Sequence, residues 1–210
     1  MNAGAWITVA SVCALLVAKK REWRAGEWAL KPLASTGFLL SAWQYGALDG
    51  AYGRAVMAAL ALSWWGDVLL IPKVKRAFLF GLFAFLLGHV AFAAAFVARG
   101  VAWSAAAVTL AALCAPLVLV ARWLMPSVPS KMKVPVMAYM AVITVMVALA
   151  CGTVTAHGDP RVFVAAVAFY LSDLSVARDR FVKQEFGNKL WGWPLYFGAQ
   201  LVFAATVAPR

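Results

Sequence analysis

The chain has 210 residues, 65% of them hydrophobic and 13% charged, with a formal net charge of +11 and a mean hydropathy of +0.84. Soluble domains are about half apolar and about a quarter charged, so a soluble globule is excluded and the arithmetic is that of a multi-helix membrane protein. Spans of ~20 residues leave connections too short for a second folded unit, and residues 1–210 read as a single integral membrane domain.

Dividing the chain at its charges and turn residues gives eight predicted helices: 3–18, 30–48, 55–71, 77–98, 101–120, 134–156, 162–177 and 190–208. The runs exceed strand length and do not alternate with period two, which excludes a β-barrel. The expected fold is all-α, a polytopic bundle of eight transmembrane helices. Met1 to Thr8 carry no basic side chain, and Lys19, Lys20, Arg21 and Arg24 follow the first run; that is the pattern of a retained span, not of a cleaved leader. Lys73, Lys75 and Arg76 follow the third run, Arg122, Lys131 and Lys133 the fifth, and Arg178, Arg180, Lys183 and Lys189 the seventh. The other side has Arg54, Arg99, Arg161 and Arg210, so with Lys31 set aside fourteen basic residues oppose four. The positive-inside rule then places both termini on the non-cytoplasmic side of the cell's inner membrane. Most of the net charge serves topology and attraction to anionic lipid, and no nucleic-acid partner is expected. Trp6, Trp23, Trp28, Trp43, Trp103, Trp123, Trp191 and Trp193 stand near the run ends as interfacial anchors.

Cys13, Cys114 and Cys151 lie unpaired inside apolar runs, so neither a disulfide framework nor a thiolate metal site is supported. The two histidines, His89 and His157, are fewer than the three protein ligands a catalytic zinc usually takes. No metal or other cofactor is expected.

An ionisable side chain within a span costs about 2.5–3.5 kcal/mol on insertion scales and asks for a partner or a function. Four qualify: Lys31, Asp67, His89 and Asp173. Asp67 lies five positions before Pro72 and Asp173 five before Arg178, on helices running the same way, so the two carboxyls share a depth near the cytoplasmic end. Lys31 begins one helix that rises from that end and Tyr139 lies five residues after Val134 in another, and His89 and Gln200 lie deeper. Lys31 also reads as an interfacial anchor whose amine snorkels, and His89 as a structural interhelical hydrogen-bonder. The aspartates have no such alternative in lipid. A cavity open to the inner leaflet is the simplest arrangement that satisfies these groups. Pro32 precedes Asp67 by 35 residues and Pro135 precedes Asp173 by 38, a spacing compatible with a parallel repeat of four plus four helices.

Two carboxyl groups in a low-dielectric cavity can hold different protonation states and act as an acid/base pair. No Gly-x-Ser-x-Gly elbow is present, which disfavours an acyl-enzyme. The run Ser63-Trp64-Trp65-Gly66-Asp67, then Leu87-Gly88-His89, then Tyr170-Leu171-Ser172-Asp173, and finally Tyr196 and Gln200 resemble the YhhN-like lysoplasmalogenase family, with Leu174 a departure where a small hydroxyl residue is expected. The resemblance spans Lys31 to Gln200. It implies an integral membrane hydrolase that cleaves the vinyl ether of a lysophospholipid and releases a fatty aldehyde. On that reading Asp67, Asp173 and His89 are the catalytic candidates. Lys31, Tyr139, Tyr170, Gln200 and Trp64 are the candidates for substrate binding, with Lys31 or the Lys73, Lys75 and Arg76 cluster holding the phosphate. The alternative is a small secondary transporter in which Asp67 and Asp173 relay a proton or cation; metal-free aldehyde release in detergent separates the two.

Overall fold

A computed structural model describes residues 1–72 and 74–208 of the chain, so Lys73 and Arg210 lie outside the described residues. Each apolar run forms a helix, and most helices extend past the run that announced them. In chain order they are α1 (Ala3–Lys20), α2 (Arg24–Gln44), α3 (Ala51–Leu69), α4 (Lys75–Arg99), α5 (Trp103–Leu124), α6 (Ser130–His157), α7 (Pro160–Ala177) and α8 (Phe186–Ala205). Division at charged residues truncated α2, whose first turn contains Arg24 and Glu27, and α6, which begins three residues before Lys133. A charged turn is a poor place to end a helix at an interface, because long side chains reach water while the backbone stays hydrogen-bonded. At its other end α2 stops at Gln44, before the expected residue 48, where Gly46 adopts φ +80° and turns the chain.

Among the described residues five helices are long and apolar enough to cross a membrane: Ala3–Lys20, Lys75–Arg99, Trp103–Ser127, Ser130–His157 and Pro160–Val182. The remaining three, α2, α3 and α8, are those that carry Lys31, Asp67 and Gln200. Phe80, Phe83, Val108 and Leu119 face outward, while Lys31, Ser35, Asp67, His89 and Gln200 are buried. Apolar surface outside and polar groups inside is the partition expected in lipid. Eight tryptophans, Trp6, Trp23, Trp28, Trp43, Trp65, Trp103, Trp123 and Trp191, are exposed.

Neighbouring helices close a ring in the order α1, α2, α3, α4, α6, α7, α8 and back to α1, and α5 lies outside it against α6. Only Ala106 and Leu124 of α5 are buried. Close approach depends on small residues: a Cβ at Gly37 of α2 would stand 2.8 Å from both the Gly4 carbonyl oxygen and the Thr8 nitrogen of α1. Gly66 of α3 similarly has the Phe85 ring of α4 against it. Asn2 caps α1 by accepting from the Ala5 amide at 3.0 Å and donates to the Ser41 carbonyl near the end of α2 at 3.2 Å. Tyr52 at the start of α3 meets Thr206 just past α8 at 2.7 Å. Both ends of the chain therefore lie at the same end of the bundle.

Candidate active site

The polar residues of the ring gather in two neighbouring clusters. The first is built on α3. Asp67 is 2% exposed and receives three donors from two other helices. The Lys31 ammonium stands 3.2 Å from Oδ1 and donates to the Asp67 main-chain carbonyl at 3.1 Å. Ser35 Oγ lies 2.5 Å from Oδ2, and Tyr196 Oη donates to the same oxygen at 2.7 Å. Lys31 and Ser35 share one face of α2 because they are four residues apart. Ser35 Oγ is also 3.1 Å from the Lys31 carbonyl; its single proton serves one acceptor at a time. Lys31 is thus committed to Asp67 and is not a snorkelling anchor. A buried carboxylate with its counter-charge and two hydroxyls is satisfied where an isolated one would not be.

The second cluster is built on α7. Asp173 Oδ2 accepts from Tyr139 Oη of α6 at 2.8 Å and faces His89 Nε2 of α4 at 3.3 Å. His89 Nδ1 is 2.6 Å from the Phe85 carbonyl. A carbonyl only accepts, so Nδ1 carries a proton and Nε2 is the nitrogen left to face the carboxyl. Among the described residues Nε2 makes no hydrogen bond and stands against the carboxyl by proximity alone. Both polar partners of Asp173 lie on Oδ2, and its side chain is 17% exposed. Phe169 packs on the imidazole with ring centroids 4.4 Å apart and fixes its plane.

Tyr196 joins the clusters. Its hydroxyl is bonded to Asp67, its ring packs on Phe85 and Phe169, and it shares with Asp173, Tyr139 and Tyr170 the wall of a cavity of about 100 Å³. Apart from Ser172 and Ser175 the rest of that wall is apolar, including Leu82, Phe85, Leu124, Met140, Ile143 and Leu174. Leu174, the position where a hydroxyl residue was expected, thus supplies apolar wall. The hydroxyl of the next residue, Ser175, fills the space left by Gly192, where α7 and α8 touch. A second cavity of about 320 Å³ adjoins the first and shares Leu70, Phe78, Ser175, Val176, Phe181 and Trp193 with it. Its own lining is charged, with Lys19, Glu27, Lys31, Asp179, Arg180, Lys183 and Lys189.

The two aspartates therefore do not line one cavity. Asp173 is on the apolar wall and Asp67 lies behind Tyr196. Tyr139 and Tyr170 line the apolar cavity. Gln200 is wholly buried near Tyr196 and, like Trp64, lines neither cavity. Trp64 donates to Thr36 of α2 at 3.1 Å and stacks edge-on with Trp65. Lys75 and Arg76 are exposed at the start of α4 and line neither cavity. Ser35 and the linking role of Tyr196 were not anticipated. The signal for both is helical spacing: Ser35 is four residues after Lys31 and Tyr196 four before Gln200.

A model of the YhhN family matches residues 26–207, most of the chain, an interval that contains every residue of both clusters. No curated protein and no solved structure matches the chain.

Proposed function

The chain belongs to the YhhN family, the lysoplasmalogenase family, and on that premise we propose that it is a membrane hydrolase cleaving the vinyl ether of lysoplasmalogens. The products are a fatty aldehyde and glycerophosphoethanolamine or glycerophosphocholine. The observation that carries this reading is a carboxyl group, Asp173, set in the wall of a largely apolar cavity with an imidazole behind it. An apolar cavity takes an alkenyl chain, and the group a vinyl ether needs is an acid at its alkene.

Asp173 gives a proton to the terminal alkene carbon, which leaves an oxocarbenium ion on the carbon bonded to the ether oxygen. The problem parallels glycoside hydrolysis, in which paired carboxyls protonate and stabilise such a cation. Water adds to the cation. The proton it loses passes to Tyr196 Oη as that hydroxyl gives its own to Asp67, so Asp67 acts through Tyr196 as the general base. The hemiacetal then collapses to aldehyde and alcohol, its hydroxyl proton passing to the departing glycerol oxygen. Transfer back through the same hydroxyl restores Asp173, and one water is consumed per turnover. His89 Nε2 and Tyr139 both face the Oδ2 edge of Asp173, so that Oδ1, which carries the proton delivered to the alkene, is presented to the chain. Positioned acid catalysis of this kind is worth roughly 10²–10⁴ in rate.

All eight helices span the bilayer on this reading, with both termini on the non-cytoplasmic side of the inner membrane and the charged cavity toward the cytoplasmic leaflet. Support comes from the fourteen-to-four distribution of basic residues and from the two chain ends sharing one end of the bundle. The test is aldehyde release from a lysoplasmalogen by purified protein in detergent without added metal. Asp173→Asn and Asp67→Asn should each abolish release while eluting as folded protein; turnover retained by either variant would sink the assignment.

A further inference from the structure

The charged cavity has a property that the acid/base chemistry does not use. Five cations line it, Lys19, Lys31, Arg180, Lys183 and Lys189, against two acids, Glu27 and Asp179. Four of the five are committed. Lys19 pairs with Glu27 and Lys189 with Asp179, Lys31 with Asp67 at 3.2 Å, and Lys183 with Glu185 at 2.8 Å. Arg180 has no carboxylate partner among the described residues. Its guanidinium instead lies over the Phe78 ring at 4.2 Å, and Phe78 belongs to the wall shared by both cavities.

The segment that carries Arg180 is built to hold it there. After α7 the backbone widens into a π-helical turn, Arg178–Val182, a form that recurs at functional sites. Asn188 is wholly buried beneath it and donates to Asp179 Oδ1 at 3.1 Å and to the Lys183 carbonyl at 2.7 Å. Arg178 bonds both Asn188 and Glu185. An unpaired guanidinium on a braced turn, stacked on an aromatic ring at the mouth of an apolar cavity, is preorganised for an anion. Its distance from the chemistry suits a glycerol ester. Arg180 follows Asp173 by seven residues, about 10 Å along the helix axis, a span that three glycerol carbons, an ester oxygen and the arginine side chain can cover.

We propose that this charged cavity is a phosphodiester subsite in which Arg180 takes the lipid phosphate, so that the headgroup sets how far the alkenyl chain enters toward Asp173. The proposal rests on the hydrolase reading above, and its test is arranged so that the two can fail separately. Wild type and Arg180→Gln are compared on a 1-alkenyl-glycerophosphoethanolamine and on the headgroup-free 1-alkenylglycerol. The variant should raise KM for the phosphate ester by roughly tenfold or more, as expected for loss of a charge-assisted hydrogen bond, and leave kcat and the headgroup-free substrate unchanged. Arg180→Lys should recover part of the loss. Equal losses on both substrates would overturn the subsite and make Arg180 a structural residue.

Binding without turnover is read by the thermal shift that a 1-alkyl lysophosphatidylethanolamine, which cannot be hydrolysed at that bond, gives the full-length protein. A shift present in wild type and lost in Arg180→Gln supports the subsite even if neither alkenyl substrate is cleaved, in which case only the hydrolase reading falls. No shift in wild type overturns the subsite. Inorganic phosphate and glycerophosphoethanolamine are tested as competitors, and phosphate matching the ester at equal concentration would assign the cavity to a free anion and overturn the lipid assignment.

Discussion

At the scale of single residues, the proposed reaction turns on which carboxyl would meet the substrate and which would act through an intermediary. Asp173 is on a cavity wall, and Asp67 is separated from it by the Tyr196 ring. Tyr196→Phe keeps the ring and removes the hydroxyl, so kcat should fall by about 10²-fold or more with KM within about twofold, as steady-state aldehyde release would show. An unchanged kcat would remove Asp67 from the reaction. Lys31→Met leaves the buried Asp67 without its counter-charge and should cost about 3–5 kcal/mol of stability. The double variant Lys31→Met with Asp67→Asn should recover most of that loss in thermal or denaturant unfolding, which separates the stabilising role of the ion pair from catalysis. The aspartates, Lys31 and His89 were legible in the sequence because a charge inside an apolar run is conspicuous. Ser35 and the linking role of Tyr196 were not, since a hydroxyl in a membrane helix is common and cheap until a carboxylate is seen beside it.

At the scale of helices, the sequence located all eight elements and misplaced their ends. Apolar runs mark where lipid begins, whereas a helix ends where its backbone runs out of partners, as at Gly46 after α2. The pairing of α1 with α2 shows what holds such elements together when both helix surfaces and the surrounding lipid are equally apolar: small residues permit backbone contact. Gly37→Ala would push a methyl group to 2.8 Å from two main-chain atoms of α1. Overpacking of this kind costs about 1–3 kcal/mol, so the variant should unfold at lower temperature in detergent. Because Ser35 lies about half a turn and Lys31 about one and a half turns away on the same helix, its activity should fall with its stability. A Gly37→Ala protein as stable as wild type would show that α1 gives way without cost.

At the scale of the molecule, the ring of seven helices with α5 outside it puts the charged cavity and the chain ends on opposite ends of the bundle. Single cysteines placed at residue 2 and at residue 22, in a background lacking Cys13, Cys114 and Cys151, test the proposed orientation. In intact cells an impermeant thiol reagent should label the first and spare the second, and the reverse pattern would invert the topology. The two adjoining cavities, one apolar and one charged, have the polarity sequence of a single-chain lipid. No composition count contains that adjacency, since its walls come from α1, α2, α4, α5, α6, α7 and α8.

The sequence by itself determined the solvent of this protein, its helical class, and the handful of ionisable residues that lipid would not tolerate idle. Those follow from transfer energies, which depend on residue type and local run length alone. Only the tertiary structure decided that Lys31 belongs to Asp67, that His89 belongs to Asp173, and that Tyr196 stands between the two carboxyls. Such pairings are set by which helix faces meet, and helices of nearly uniform apolar character choose their faces through small-residue packing and hydrogen bonds between distant positions, not through any local pattern that a single segment displays.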